Sequence, residues 1–193
     1  TLNWYRRVFC ENTSFEILSE EAKQITPGSN GLVFFPCMGG ERTPYMDPLT
    51  KGVFLGISMM HDKRHFARSI MEGVSFAMKC SLEKIDELYG TADKLICAGG
   101  GVKGNVWAQI QADIYDQVIE VSSIKEQACL GAAIMAGIGC GKFSTLEEAC
   151  SQMKIVEPIM KNVFAYEEIY KKVYLKIYDA NKNIFKTISE IVE

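Results

Sequence analysis

The chain has no excess of positive charge. Its 193 residues hold 21 Lys and Arg against 24 Asp and Glu, a formal net charge of −3, so the broad basic surface of a nucleic-acid binder is not encoded. No apolar run nears the ~18 residues of a membrane span. The opening Thr1-Leu2-Asn3-Trp4-Tyr5-Arg6-Arg7 is not a secretory leader and has no initiator methionine, and the chain reads as a piece of something longer. Internal repeats and low-complexity tracts are lacking. Neither the P-loop spacing nor the dinucleotide-binding fingerprint occurs. No Cys-x-x-Cys is found either: the seven cysteines, at 10, 37, 80, 97, 129, 140 and 150, are odd in number and scattered. That speaks against a disulfide framework and against zinc. Most lie in apolar segments, as reduced, buried thiols of a cytoplasmic protein do. His61 and His65 are the only histidines; they could share a helix face, but a metal needs a third ligand and none is evident.

What is present is ordinary globular material, 48% hydrophobic and 23% charged, enough for one domain with a real core. Residues 2–10 and 15–24 read as short helices, with Ser14 or Ser19 as a cap for the second. A turn cluster, Thr26 to Gly31, leads into a buried strand at Leu32 to Phe35. The Gly- and Pro-rich stretch Gly39 to Pro48 is an irregular loop, and Gly52 to Ile57 a second strand. Asp62 caps a long helix that starts near Lys63 and ends at Gly90. Strands follow at Leu95 and at Val118 to Val121, separated by a helix through Ile110 and Ile114. Ala128 to Gly137 is a helix of small residues suited to close packing on a sheet. Ser144 or Thr145 caps a short helix through Cys150. From Val163 to Ile191 the chain reads as helical, with Tyr166, Tyr170, Tyr174 and Tyr178 at four-residue spacing. That stripe is either a partner surface or an amphipathic face laid on its own domain, and the second is the stronger expectation. Strands alternating with helices predict an α/β layer in which Leu95 to Gly99 pairs in parallel with Val118 to Val121.

The stretch with the most chemistry is Leu95-Ile96-Cys97-Ala98-Gly99-Gly100-Gly101, followed by Val102-Lys103-Gly104-Asn105-Val106-Trp107. It reads as a buried strand, a triple-glycine turn and a helix start. Glycines let backbone approach a ligand with no Cβ between. A helix start offers free N–H groups and a positive dipole end. The combination is a seat for a nucleotide phosphate or ribose, and it lies at a strand's carboxyl end, where ligands gather in α/β sheets. A tight turn alone would also use such glycines.

Four segments in order resemble the C-terminal part of the FGGY carbohydrate kinases. Gly52 to Glu72 is similar to that family's C-terminal signature. Gly40-Glu41-Arg42-Thr43-Pro44-Tyr45-Met46-Asp47-Pro48 resembles a Gly-Glu-Arg-x-Pro-x-x-Asp-Pro segment of its xylulokinase-like branch. Ala98 to Ile114, with Trp107, Gln109, Ala112 and Asp113, resembles its adenosine motif. Glu126-Gln127-Ala128-Cys129-Leu130-Gly131-Ala132-Ala133 resembles Glu-Ala-x-Ala-Leu-Gly-Ala-Ala. The resemblance implies a partial ribonuclease-H-like domain of the actin–hexokinase superfamily with a C-terminal helix. Residues 1–193 would be the nucleotide-binding C-terminal domain, without its opening strands and without the N-terminal sugar-binding domain. It implies ATP and Mg2+ as cofactors of a longer parent enzyme, and a sugar held mainly by the absent domain. The substrate would be D-xylulose, or else gluconate, ribulose or glycerol. A non-catalytic actin-like module is the reading from another class.

The nucleotide-binding candidates are Gly99, Gly100, Gly101, Gly104, Asn105, Gly40 and Arg42. Gly104 departs from the Ser or Asn common in relatives, and Asn105 beside it is the candidate for that polar contact. Arg42 would meet a phosphate, or else pair with Glu41 or Asp47. Asp47 is expected to fix its turn with Pro48; Glu72 and Glu126 match positions of the family, and helix packing or capping explains them as well. No catalytic residue is expected here, since the general base belongs to the missing domain, and the chain alone is expected to be inactive. No nucleic-acid or membrane partner is expected. A sheet lacking its opening strands would leave a free edge, which favours a homodimer or limited stability.

Overall fold

A computed structural model describes residues 1–100, 105–122, 126–151, 156–159 and 166–192. Its centre is one long helix, α3 (Lys63–Tyr89). Asp62 starts it: the carboxylate accepts from Arg64 N at 3.0 Å, while Asp62 N donates to His65 Nδ1 at 3.2 Å. Gly90, at φ +83°, stops it by letting the chain turn left-handed. Much of the first half packs on α3. Helices α1 (Leu2–Phe9) and α2 (Phe15–Lys23) lie against it, and Ser14 caps α2 by accepting from Ile17 N. The short antiparallel pair β1 (Val33–Phe35) and β2 (Val53–Leu55) crosses it. Contact there is so close that a Cβ on Gly73 would stand 2.1 Å from Phe34 O. Only a residue without a side chain lets that helix meet that strand.

The second sheet has the order β3-β4-β5. Strands β3 (Leu95–Cys97) and β4 (Ile119–Ser122) are parallel, in register Ile96 to Glu120, as the sequence pattern predicts. Strand β5 (Val156–Ile159) pairs antiparallel with β4 and was not foreseen, because Pro158 marks it as a non-strand. Its place on the sheet's outer edge is where proline is tolerated. Helix α4 (Asn105–Tyr115) packs against both α3 and this sheet. Trp107 fastens it, donating through Nε1 to Met71 O at 3.1 Å.

Helix α5 (Gln127–Gly139) departs from expectation. Its small residues do not bury themselves on a sheet: only Ile134 and Gly137 are buried. Its neighbour is α6 (Leu146–Ser151), capped by Thr145, and Gly137 lies against the Phe143 ring. The predicted C-terminal helix is also not continuous. It divides into α7 (Tyr166–Lys172), a 3-10 turn at Tyr174–Lys176, and α8 (Ile177–Val192); residues 163–165 lie outside the described part. The tyrosine stripe nonetheless faces its own domain. Tyr166, Tyr170 and Tyr174 are buried and surround Phe76, with ring centroids 5.9, 5.6 and 5.1 Å away.

All seven cysteines are free, but three of them, Cys129, Cys140 and Cys150, are exposed rather than buried. Cys37 is held in its thiol form, burial pushing it up to about 12. Among the described residues no helix is long and apolar enough to cross a membrane.

Candidate functional site at the glycine turn

Because β3 and β4 run parallel, their carboxyl ends share one end of the sheet. Two helices begin there: α4 after β3, and α5 after β4. At that end the backbone leaves β3 through Gly99, at φ +103°, which a side chain would strain. Among the described residues, no heavy atom lies within 4 Å of where a Cβ on Gly99 or Gly100 would stand. Among the described residues, Gly99 and Gly100 therefore present bare backbone to open space, unlike Gly73, whose missing side chain is explained by packing. Asn105, the first residue of α4, is exposed beside it. Gly101, Lys103 and Gly104 fall outside the described residues.

The rest of the 98–114 motif is framework. Trp107 bonds to Met71 O and Ser75 Oγ, Ala112 is fully buried, and Gln109 Nε2 donates to Asp113 Oδ1 at 2.9 Å. Lys79 Nζ adds a bond from α3 to Ile114 O at 2.9 Å. These contacts hold the helix so that its free end meets the turn. Glu126, at the start of α5, is exposed and makes no side-chain cap among the described residues, while its carbonyl accepts from Leu130 N.

Gly40 and Arg42 sit on a second loop, 39–50, and the structure does not join it to the glycine turn by any bond among the described residues. Gly40 has a packing reason: at φ +83°, a Cβ would stand 2.9 Å from Pro48 O. Glu41 accepts from Thr43 N and Tyr45 N, both at 2.9 Å. Asp47 fixes the turn as expected, accepting from Leu49 N at 2.9 Å and giving its carbonyl to Glu41 N. Both acids are thus engaged elsewhere. Neither expected Arg42 pair forms, and the exposed Arg42 has no ion pair among the described residues.

Sequence reasoning undervalued Glu72. It is buried, yet it accepts from Gly28 N at 3.0 Å, Ser29 Oγ at 2.8 Å, Arg68 Nε at 2.7 Å and Tyr166 OH at 2.9 Å. One carboxylate so ties the 28–31 turn, α3 and α7 together. Burial pulls its carboxyl above the ordinary range despite the guanidinium beside it. The two histidines serve the entry to α3: His61 Nδ1 accepts from Ser58 N, and His65 contacts Asp62 and Asn30.

This arrangement is the ribonuclease-H-like fold of the actin–hexokinase superfamily, in part, with added C-terminal helices. The model for the FGGY family of carbohydrate kinases, C-terminal domain, matches residues 6–140, and the chain belongs to that family. The xylulose kinase of Bacillus subtilis (strain 168) is 35% identical over 189 residues, covering 94% of this chain and 38% of that protein. The gluconokinase of the same organism is 32% identical over 134 residues, covering 69% of this chain and 26% of its own length. Among solved structures, the ligand-bound xylulose kinase from Lactobacillus acidophilus superposes with a TM-score of 0.82 at 24% identity, covering 97% of this chain and 39% of that one. The chain therefore spans well under half the length of the relatives it matches.

Proposed function

We propose that this chain is the nucleotide-gripping C-terminal portion of an ATP-dependent sugar kinase that converts D-xylulose to D-xylulose 5-phosphate. The observation that carries the reading is the bare backbone of Gly99 and Gly100 at the carboxyl end of β3, beside the start of α4. On this reading the ribose and α-phosphate lie along residues 99–101, with Gly104 leaving room and Asn105 supplying a side-chain amide. Arg42 offers its guanidinium to phosphate oxygens from the second loop. Mg2+ bound to the nucleotide phosphates would offset charge on the transferring group.

Phosphoryl transfer is mostly positioning and charge stabilisation, which a two-jawed enzyme can divide between its halves. In the proposed reaction a sugar hydroxyl oxygen bonds to the γ-phosphorus, its proton goes to a base on the other domain, and ADP leaves. This half holds the leaving group; alone it turns nothing over. A ketose is favoured over gluconate because the xylulose kinase match runs along 94% of the chain, against 69% for the gluconokinase. We place the enzyme in the cytoplasm, and expect a neighbouring segment or a second copy to cover the edge of β3.

The test is turnover by the full-length protein of a panel holding D-xylulose, D-ribulose, gluconate and glycerol. D-xylulose should show the highest kcat/KM. Preference for another member would reassign the substrate, and no turnover of any would remove the enzymatic reading.

A further inference from the structure

The loop that carries Arg42 is shaped from within but oriented from outside. Glu41 and Asp47 close it through backbone bonds that stay within the loop and fix its curvature. One side chain on α8 makes two contacts that can set the loop's angle. The Tyr178 ring stacks on Tyr45, centroids 3.9 Å apart and planes 13° from parallel. Its hydroxyl donates to Asp47 Oδ2 at 3.1 Å. The two residues it touches flank the exposed, left-handed Met46. Helix α8 is itself anchored through Ile177 and Phe185, both buried, so the chain of contacts runs from the core to the loop without a gap. It also lies beyond residues 6–140, the part that the family model covers.

We propose that Tyr178 is a positioning residue for the nucleotide phosphates: it clamps the 41–47 loop so that Arg42 faces them. This rests on the proposed function, in which Arg42 meets phosphate. A tyrosine suits the task because its flat ring restricts tilt while its hydroxyl restricts sliding. Burial and the Asp47 carboxylate raise its phenol above the ordinary value, which keeps the donor proton in place. Arg42 has no ion pair among the described residues, which costs little at an exposed position, and the clamp supplies the ordering that a salt bridge would otherwise give.

The experiment uses the full-length protein with Tyr178→Ala, Tyr178→Phe, Arg42→Ala and the Tyr178→Ala/Arg42→Ala double variant. Tyr178→Ala should raise the KM for ATP roughly five- to tenfold, the size of one lost aromatic stack and its bond, with the sugar KM unchanged. Tyr178→Phe, which keeps the stack, should recover part of it. In the Arg42→Ala background Tyr178→Ala should add nothing. Trypsin should cut after Arg42 faster in Tyr178→Ala before any nucleotide is added. If Arg42→Ala raises the KM for ATP and Tyr178→Ala does not, or if the two effects multiply, the clamp is refuted. If Arg42→Ala leaves that KM alone, the phosphate role of Arg42 has failed instead. The tryptic rate then decides the clamp by itself, faster cleavage supporting it and an unchanged rate overturning it.

Discussion

Gly100→Ala separates binding from stability more cleanly than any other change at the glycine turn. Gly100 does not adopt a left-handed φ, so alanine fits its backbone. It is exposed, and the described residues leave the space beyond it empty. No described residue resists the methyl group, and the unfolded chain loses freedom; stability should hold or rise by about 0.4–1 kcal/mol. A nucleotide seated on that backbone would meet the new Cβ at contact distance. Overpacking of one methyl against a fitted surface costs about 1–3 kcal/mol, which weakens ADP binding by roughly 5- to 150-fold. Gly99→Ala would not serve, because at φ +103° it strains the backbone whether or not ligand is bound. Calorimetric titration of ADP into the full-length variant, beside a thermal melt, reads both quantities. A melt equal to the parent's with an unaltered ADP affinity would show that the nucleotide sits elsewhere.

Glu72→Ala should cost about 3–5 kcal/mol, because it strands the Arg68 guanidinium and three further donors in the interior. Urea unfolding measures it, and a loss below about 1 kcal/mol would mean the network is not what joins α7 to the 28–31 turn. Asp62 predicts an acid effect. Its bond to Arg64, helped by His65, holds its carboxyl well below the usual range. A depressed folded-state value adds stability above the unfolded pKa of about 3.9 that is lost as pH falls further. Asp62→Asn should therefore flatten the fall of the melting temperature between roughly pH 4.5 and 2. Parallel curves for the two proteins would exclude that role.

The elements were legible where local chemistry decides them. Ser14, Asp62 and Gly90 mark helix ends in the sequence because capping and left-handed turns need those residue types, and each does that work in the structure. The parallel pairing of β3 with β4 followed from the intervening helix. What could not be read depends on distant partners. Strand β5 carries a proline and becomes a strand only because β4 offers it an edge. The break near Tyr174 follows no helix-stopping residue; there Tyr174 packs on Phe76 and Phe35 before α8 begins. In the candidate site the glycine turn stood out, because three glycines in a row are rare. The clamp on Arg42 did not, because Tyr45 and Tyr178 are far apart in sequence, and a four-residue tyrosine spacing cannot say which ring leaves the core.

The glycine turn and the packed body that supports it occupy different stretches of this chain, and α4 joins them. The middle of α3 is tightly filled: Gly73 admits no side chain, and Glu72 has no idle oxygen. Around β3 and α5 the packing thins. Ile96 is 59% exposed on β3, which pairs on one side only among the described residues, and α5 buries only two residues there. Among the bonds that tie this second stretch back to α3, those of Trp107 to Met71 and of Lys79 to Ile114 end on α4. A surface that must accept backbone-to-ligand contact cannot also be spent on its own core, so its position has to be fixed from behind. Helix α4 does this: its buried face is locked to α3, and its free end is carried to the carboxyl end of β3. Loosening Trp107 should then move the turn without altering a single atom of it, which is how a substitution far from any nucleotide would reach one.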